Sequence, residues 1–241
     1  MNEGWETSAQ AWIDSMGERG DWGREHVLDP VMNDRVVRGG FKNALDVGCG
    51  EGRFCRRLKA LGLAAIGIDP TEQLLAVARE RDPAGDYRLG RAEQLEFDDA
   101  CFDLVVSYVT LVDIPDFRTA IKEMARVLKP GGALLIANLT GFTSACCDRG
   151  WVKDGEGRHD HFPVDRYLDE YPVWIAWAGI RIQNWHRPLS AYMAALLENG
   201  LQLSFFSEPA PVSGDEAHQA RARARRVPWF VVMEWRKPVN A

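Results

Sequence analysis

The chain has 241 residues, of which 46% are hydrophobic and 27% are charged, and its formal net charge at pH 7 is −6. This composition is typical of a globular protein with room for one sizeable α/β domain, and its core needs neither a disulfide nor a metal. The acidic balance disfavours a polyanionic partner, so we expect no nucleic acid to bind. The arginine-rich run at 221–226 is interpreted as a solvated face.

The cysteines and the apolar pattern predict the compartment. The five cysteines are an odd number and contain no Cys-x-x-Cys pair, which argues against a disulfide framework and a zinc site. We expect no signal peptide, because the first ten residues are polar and acidic, and no apolar run has the length of a membrane span. We therefore expect a reduced, cytoplasmic protein with no membrane partner.

The predicted elements divide one domain into four segments. Residues 1–42 form a helical cap, because apolar side chains recur at helical spacing before the glycines at 39–40. Residues 43–140 form the cofactor-binding core. Residues 141–200 form an insertion on the substrate side that is aromatic and irregular up to a helix at 189–197. Residues 201–241 contain two final strands, which are expected to pair at the edge of the sheet.

Strands and helices alternate through the predicted core. The predicted strands are the apolar runs at 44–48, 64–68, 87–89, 102–108 and 133–139. The predicted helices lie between them, at 53–61, from Asp69-Pro70 to residue 78, and from Asp116 to residue 128. This alternation indicates a parallel sheet with helices on both faces, which binds its ligand at the carboxyl ends of the strands.

A glycine-rich turn joins the first predicted strand to the first predicted helix. It reads Asp46-Val-Gly-Cys-Gly-Glu-Gly-Arg53, and its three glycines let the backbone approach a ligand closely. Such a turn serves dinucleotides, flavins or S-adenosylmethionine. Here the spacing is Gly-x-Gly-x-Gly, and the carboxylates of Asp46 and Glu51 would repel a pyrophosphate. They suit the ammonium group of S-adenosylmethionine, which carries no phosphate. Asp69, about twenty residues on, is placed to accept the ribose hydroxyls of any of these ligands.

Four segments together resemble the small-molecule class I methyltransferases, of the type similar to ubiquinone/menaquinone C-methyltransferases. They are Leu45–Gly52, Gly67–Asp69, Phe102–Ser107 and Val127–Gly132. The resemblance implies an α/β, Rossmann-like, seven-stranded and mostly parallel sheet with an antiparallel edge. It also implies that S-adenosylmethionine is the cofactor and that its methyl group passes to an acceptor by direct displacement.

The resemblance also implies which residues bind the cofactor. They are Asp46, Gly48, Cys49, Gly50, Gly52, Asp69, Ala92, Glu93 and Ser107. Asp46 would bind the amino group, directly or through water, and Ala92 and Glu93 would lie beside adenine. Arg91 occupies a position where many members have an aspartate that accepts from the adenine amino group. Arginine only donates, so that hydrogen bond must come from elsewhere. Arg24 in the cap is either a partner for the cofactor carboxylate or an exposed arginine.

The candidate catalytic residues are His161, His186 and Tyr108. Each histidine is either a general base or substrate contact, or else a loop or packing residue. Tyr108 ends the fourth predicted strand, above the expected cofactor position. His159 and His161 have no evident third ligand, so no metal site is predicted.

The aromatic insertion favours a small aromatic or apolar acceptor. Two alternatives stay open, a nicotinamide or flavin oxidoreductase on a related fold and a non-catalytic module that binds S-adenosylmethionine. The oligomeric state is not predicted.

Overall fold

The computed structural model describes residues 4–146, 150–212 and 225–239, so most of the arginine-rich run at 221–226 lies outside the described residues. The helices are α1 (Trp5–Met16), α2 (Asp29–Gly39), α3 (Arg53–Ala60), α4 (Glu72–Arg81), α5 (Phe117–Val127), α6 (Gly141–Ser144) and α7 (Leu189–Glu198), and a π-helical turn (Arg24–Leu28) leads into α2. In the described part of the chain, no helix combines the length and apolar character needed to cross a membrane.

One sheet of seven strands forms the centre of the molecule. Its strands are β1 (Asn43–Val47), β2 (Ala64–Asp69), β3 (Asp86–Leu89), β4 (Phe102–Tyr108), β5 (Leu128–Leu139), β10 (Gln202–Ser207) and β11 (Phe230–Arg236). Their order is β10-β11-β5-β4-β1-β2-β3. Strands β1 to β5 pair in parallel, whereas β11 is antiparallel to both β5 and β10. This arrangement confirms the predicted Rossmann-like sheet and its antiparallel edge.

The chain reverses its direction across the sheet at β1. It passes from β1 through β2 to β3 on one side, and then returns to build β4 and β5 on the other. In such a sheet the crevice at the carboxyl end of the central strand is where ligands bind. The glycine-rich turn follows β1 directly and therefore lies at this crevice.

Helices cover both faces of the sheet with apolar side chains. Phe117, Ile121 and Met124 of α5 are fully buried against one face, and Leu58 of α3 and Met32 of α2 belong to the cluster on the other. Asp116 caps α5 as predicted, since its carboxylate accepts a hydrogen bond from the Thr119 N–H at 3.1 Å. The alternation of strand and amphipathic helix thus builds a two-sided core that holds the crevice in place.

The helix predicted to start at Asp69-Pro70 begins later, at Glu72. Asp69 is the last residue of β2, and its carboxylate accepts hydrogen bonds from the Thr71 N–H at 2.8 Å and the Gly50 N–H at 2.9 Å. The prediction was wrong because the aspartate side chain binds the loop and the glycine-rich turn instead of capping the helix.

The described part of the insertion at 141–187 contains more regular structure than the irregular segment predicted. After α6 it forms two hairpins, β6 (Val152–Lys153) with β7 (His159–His161), and β8 (Tyr171–Trp177) with β9 (Ile180–His186). The longer hairpin turns at Ala178 and Gly179, whose φ angles are both positive, as a two-residue hairpin loop requires.

Helix α1 packs on the longer hairpin and not on the central sheet alone. The Ser8 hydroxyl donates to the Arg181 carbonyl at 3.1 Å and accepts from the Arg181 N–H at 3.0 Å. At Gly4, which has φ +94°, a Cβ atom would lie 2.1 Å from the same carbonyl oxygen. The cap and the insertion therefore form one cover over the carboxyl edge of the sheet.

Candidate active site

A cavity of about 440 Å³ lies under this cover. Its polar half is formed by the residues after β1, β2 and β3, together with Arg24. Its apolar half is formed by the residues after β4 and β5, by the hairpin β8–β9 and by the start of β11. Strands β4, β5 and β11 lie on one side of β1, whereas β2 and β3 lie on its other side. The two halves of the cavity therefore lie side by side along the edge of the sheet.

The glycine-rich turn forms the floor of the polar half. Gly48 and Cys49 donate their N–H groups to the Ile68 carbonyl at 2.8 and 2.9 Å, which ties the turn to β2. Gly48 has φ +78°, and a Cβ atom there would lie 2.1 Å from the Thr110 side chain. Gly50, with φ +54°, faces open space, since a Cβ there would meet only Leu74 at 4.0 Å. Gly48, Cys49 and Gly50, which are predicted to bind the cofactor, all line the cavity.

Gly52 has a different role from its neighbours in the turn. It does not belong to the cavity lining, and a Cβ atom at this position would lie 2.6 Å from the Tyr87 ring. Its φ of +75° also favours glycine. The structure therefore places Gly52 as the residue that lets α3 begin close to Tyr87.

Three buried carboxyl groups, those of Asp46, Glu51 and Asp69, line the polar half. Asp46 is 1% exposed, and burial, with some repulsion from Asp69 and Glu51, raises its pKa to about 7. Its Oδ2 accepts from the Cys55 thiol at 3.5 Å, and its Oδ1 has no hydrogen-bond partner among the described residues. Burial raises the pKa of Asp69 to about 6, and the hydrogen bonds from Thr71 and Gly50 limit that rise.

Arg24 lies at the boundary between cap and turn. It forms an ion pair with Asp21 at 2.6 Å, and its guanidinium lies 4.9 Å from the centroid of the Trp12 ring. The Trp12 Nε1–H donates to the Glu51 carboxylate at 3.3 Å. All four side chains line the cavity. The structure thus brings the Arg24 guanidinium into the cavity next to the carboxylates of Asp21 and Glu51.

Ala92 and Glu93, which are predicted to lie beside adenine, line the far side of the polar half. Arg91 lines it too, and its guanidinium lies 3.7 Å from the Glu93 carboxylate. Ser107 is fully buried in β4, outside the cavity lining, and its hydroxyl has no hydrogen-bond partner among the described residues.

The structure does not bring the candidate histidines to the cavity. His161 is exposed on β7, where its Nδ1 lies 3.0 Å from the Asp160 carboxylate. His186 is fully buried, with Nδ1 2.8 Å from the Ser144 hydroxyl and Nε2 3.0 Å from the Tyr167 carbonyl oxygen. Both of its ring nitrogens are therefore engaged within the protein, and burial lowers its pKa. Neither residue is placed to act on a ligand in this cavity.

Tyr108 lines the cavity, but its hydroxyl points to a buried polar cluster. It donates to Asp29 Oδ1 at 2.8 Å, and Asp29 also accepts from Arg53. Burial raises the pKa of Tyr108 well above its ordinary value. The ring faces the cavity while the hydroxyl anchors the cap to β4, so Tyr108 supplies a surface rather than a proton donor.

The sequence analysis missed two polar residues of the apolar half. Asp113 follows β4 in an otherwise apolar run, and its carboxylate accepts a hydrogen bond from the Asn184 side chain of β9. Burial raises the pKa of Asp113 to about 8, although the bond from Asn184 acts in the opposite direction. A lone aspartate between valine and isoleucine at the carboxyl end of a strand was the available signal. No sequence signal pointed to Asn184, because this residue lies on the hairpin β8–β9, which was not predicted.

The side chains of the cavity fit S-adenosylmethionine. Asp46, Glu51 and Asp69 suit a ligand with an ammonium group and ribose hydroxyls, and they oppose a diphosphate. Arg24 matches the single carboxylate of that ligand. The buried Oδ1 of Asp46 is an acceptor still free to take a hydrogen bond. A volume of about 440 Å³ is also within the range of pockets that enclose small molecules.

Comparisons with known proteins agree with this fit. Residues 45–136 match the family described as a methyltransferase domain. The malonyl-[acyl-carrier protein] O-methyltransferase of Serratia marcescens is 35% identical over 138 residues, which are 57% of this chain and 52% of that protein. The demethylmenaquinone methyltransferase of Staphylococcus aureus is 43% identical over 111 residues, 44% and 46% of the two chains. The chain thus matches only about half the length of these relatives.

A solved structure extends the likeness beyond the matched domain. The S-adenosylmethionine dependent methyltransferase from Mesorhizobium loti is 28% identical, with a TM-score of 0.75. The superposition covers 86% of this chain and 96% of that one. Residues 45–136 thus match a methyltransferase domain, and the chain as a whole is similar in fold to an S-adenosylmethionine dependent methyltransferase.

Proposed function

We propose that this protein transfers the methyl group of S-adenosylmethionine to a small aromatic or apolar acceptor. The observation that supports it is the juxtaposition of a polar half, rich in carboxylates, with an apolar half in a single cavity. The polar half suits a cationic nucleoside, and the apolar half suits an acceptor that excludes water from the reaction.

The apolar half is lined by large side chains. They include Ile175, Trp177, Ile182, Trp229 and Phe230. Trp177 and Trp229 are each about 40% exposed and so lie at the opening of the cavity. Aromatic and aliphatic walls with few polar groups favour a flat or apolar acceptor over a peptide or a nucleic acid.

The protein's own residues mainly bind, orient and exclude water. When bound, S-adenosylmethionine supplies a methyl group attached to a positively charged sulfur, and the neutral thioether is a good leaving group. Asp69 would bind the ribose, Asp46 and Glu51 the ammonium group, and Arg24 the carboxylate. The aromatic rings of Trp12 and Tyr108 line the same cavity and favour a cationic ligand. Alignment of the acceptor in a closed cavity then lowers the barrier.

Calorimetric titration of the purified protein tests this proposal. S-adenosylhomocysteine should bind, and NAD⁺ and FAD should not, because the three carboxylates of the polar half repel a diphosphate. A labelled methyl group should then be transferred from S-adenosylmethionine to members of a panel of small aromatic compounds. Binding of NAD⁺ or FAD in place of S-adenosylhomocysteine would support the oxidoreductase alternative. Cofactor binding without transfer to any acceptor in the panel would support the non-catalytic module.

A further inference from the structure

Asp113 is the one charged side chain in the lining of the apolar half, within the described residues. The polar side chains that share this half are Thr110, Thr143 and Asn184. A carboxyl group surrounded by indole, phenyl and aliphatic side chains is costly to bury, unless something in the cavity interacts with it. Asp113 therefore lies next to the space that is predicted to hold the acceptor.

One oxygen of this carboxyl group remains available to a ligand. Oδ1 accepts from the Asn184 side chain, while Oδ2 forms no hydrogen bond or ion pair with any residue that the structure describes. Asp113 is partly exposed although it lies deep in the fold, because its exposed surface faces the cavity. Asn184 therefore orients the carboxyl group and leaves its second oxygen free.

The backbone that carries Asp113 is fixed from outside the cavity by Arg187. This guanidinium is 1% exposed and donates to the carbonyl oxygens of Leu111 at 3.0 Å, Ile114 at 2.6 Å and Pro115 at 2.9 Å. The Trp185 N–H also donates to the Val112 carbonyl at 2.7 Å. Four hydrogen bonds to one short segment make Arg187 and β9 the positioning elements for Asp113.

Burial also adjusts the acidity of this group. It raises the pKa of Asp113 to about 8, with a further rise from Asp69 and opposite effects from Asn184, Arg24 and Arg187. A phenolic hydroxyl has a pKa near 10. Proton transfer between groups of similar pKa is more efficient than transfer to an ordinary carboxylate, whose pKa is near 4.

We propose that Asp113 accepts the proton of a weakly acidic hydroxyl on a flat, phenol-like acceptor. This inference rests on the proposed function and names its substrate class. As the hydroxyl oxygen forms its bond to the methyl carbon, its proton passes to the Asp113 carboxylate. The electron pair of the sulfur–methyl bond stays on sulfur, so a sulfonium and a carboxylate give a neutral thioether and a neutral carboxylic acid.

Binding of matched aromatic probes to the protein saturated with S-adenosylhomocysteine tests the recognition. The probes are 2-naphthol and 2-methoxynaphthalene, which share the naphthalene ring. The hydroxyl proton of 2-naphthol is replaced by a methyl group in 2-methoxynaphthalene. At about pH 9, where Asp113 is mostly ionised, a hydrogen bond to its carboxylate should favour 2-naphthol by about 10-fold or more in Kd. Asp113→Leu should remove this preference, and the exposed control Asp98→Asn should keep it. The Kd of S-adenosylhomocysteine should be similar in all three proteins, which also reports that the variants fold.

The proton transfer is tested by the pH dependence of methyl transfer from labelled S-adenosylmethionine to 2-naphthol. In the wild type kcat/KM should rise with pH as Asp113 ionises, and Asp113→Asn should lose that rise and at least about 100-fold in kcat. Equal binding of the two probes by the wild type, an unchanged preference in Asp113→Leu, or no transfer to 2-naphthol would overturn the inference. An unchanged pH profile in Asp113→Asn would overturn it too. Failure of S-adenosylhomocysteine itself to bind would instead overturn the proposed function.

Discussion

At the scale of single residues, Asp46 shows how the ligand-free site is constructed. Its Oδ1 is buried and has no hydrogen-bond partner among the described residues, which costs free energy in the folded protein. The neighbouring carboxylates of Asp69 and Glu51 add repulsion. A ligand that brings an ammonium group relieves both costs, so part of its binding free energy comes from the site itself.

Asp69→Ala should weaken the binding of S-adenosylhomocysteine by about 10- to 100-fold, because hydrogen bonds to a charged acceptor contribute about 1.5–3 kcal/mol each. The substitution also removes the acceptor for the N–H groups of Gly50 and Thr71. Calorimetric titration measures the change, with the exposed Asp98→Ala as control. Equal affinity of Asp69→Ala and the wild type would contradict the ribose assignment.

Arg24→Met should weaken the binding of ligands that carry the amino-acid carboxylate and should not affect ligands that lack it. The methionine side chain preserves much of the apolar contact with Trp12 but removes the charge. We expect the affinity for S-adenosylhomocysteine to fall by about 10-fold and that for 5′-methylthioadenosine, which lacks the amino-acid carboxylate, to stay constant. A parallel loss for both ligands, measured by calorimetry, would mean that Arg24 supports the fold of the site and does not bind the carboxylate.

At the scale of elements, the sequence predicted the sheet better than its cover. Strands such as 102–108 were predicted at their observed bounds, because a buried parallel strand is a continuous apolar run. The hairpin β8–β9 was missed, since both strands mix aromatic, polar and charged residues and form a separate two-stranded sheet. Cavity residues on the predicted turn were therefore named from the sequence, whereas Asn184 and Ile182, which depend on the hairpin, were not.

Ser8→Ala should loosen the cover. The Ser8 hydroxyl satisfies both the N–H and the carbonyl of Arg181 from 173 positions away, so its loss leaves two partly buried groups unpaired at a cost of about 1–3 kcal/mol. Urea denaturation should show this decrease in the free energy of unfolding. Thr7→Ala, which removes an exposed hydroxyl bonded within the same turn to Gly4, is the matched control. Equal stability of the two variants would show that α1 does not depend on this contact.

At the scale of the whole molecule, three buried carboxyl groups link stability to pH. The pKa values of Asp46, Asp69 and Asp113 are about 7, about 6 and about 8 in the folded protein, against about 3.9 in an unfolded chain. At pH values between the unfolded and the folded pKa, the folded protein binds more protons than the unfolded chain. Its free energy of unfolding therefore falls as pH rises. The lowered pKa of His186 acts in the opposite direction, at pH values near and below its ordinary value of 6.5.

The Tm of the ligand-free protein should therefore fall between about pH 6.5 and pH 8.5. Differential scanning calorimetry measures the slope, and Asp113→Asn should reduce it at the upper end of this range. S-adenosylhomocysteine should flatten the slope as well, because its ammonium group favours the ionised form of Asp46. A Tm that rises across this interval would contradict the linkage.

The tryptophans are distributed unevenly over this architecture. Trp235 lies within the seven-stranded sheet, and the other eight lie in the cap, the insertion and the segment before β11. Indole emission from this protein therefore reports chiefly on the structures that enclose the cavity. A change that exposes these indoles to water should shift the emission to longer wavelength while the far-ultraviolet circular dichroism of the sheet stays constant, so the native chain carries an optical label for the surroundings of the cavity.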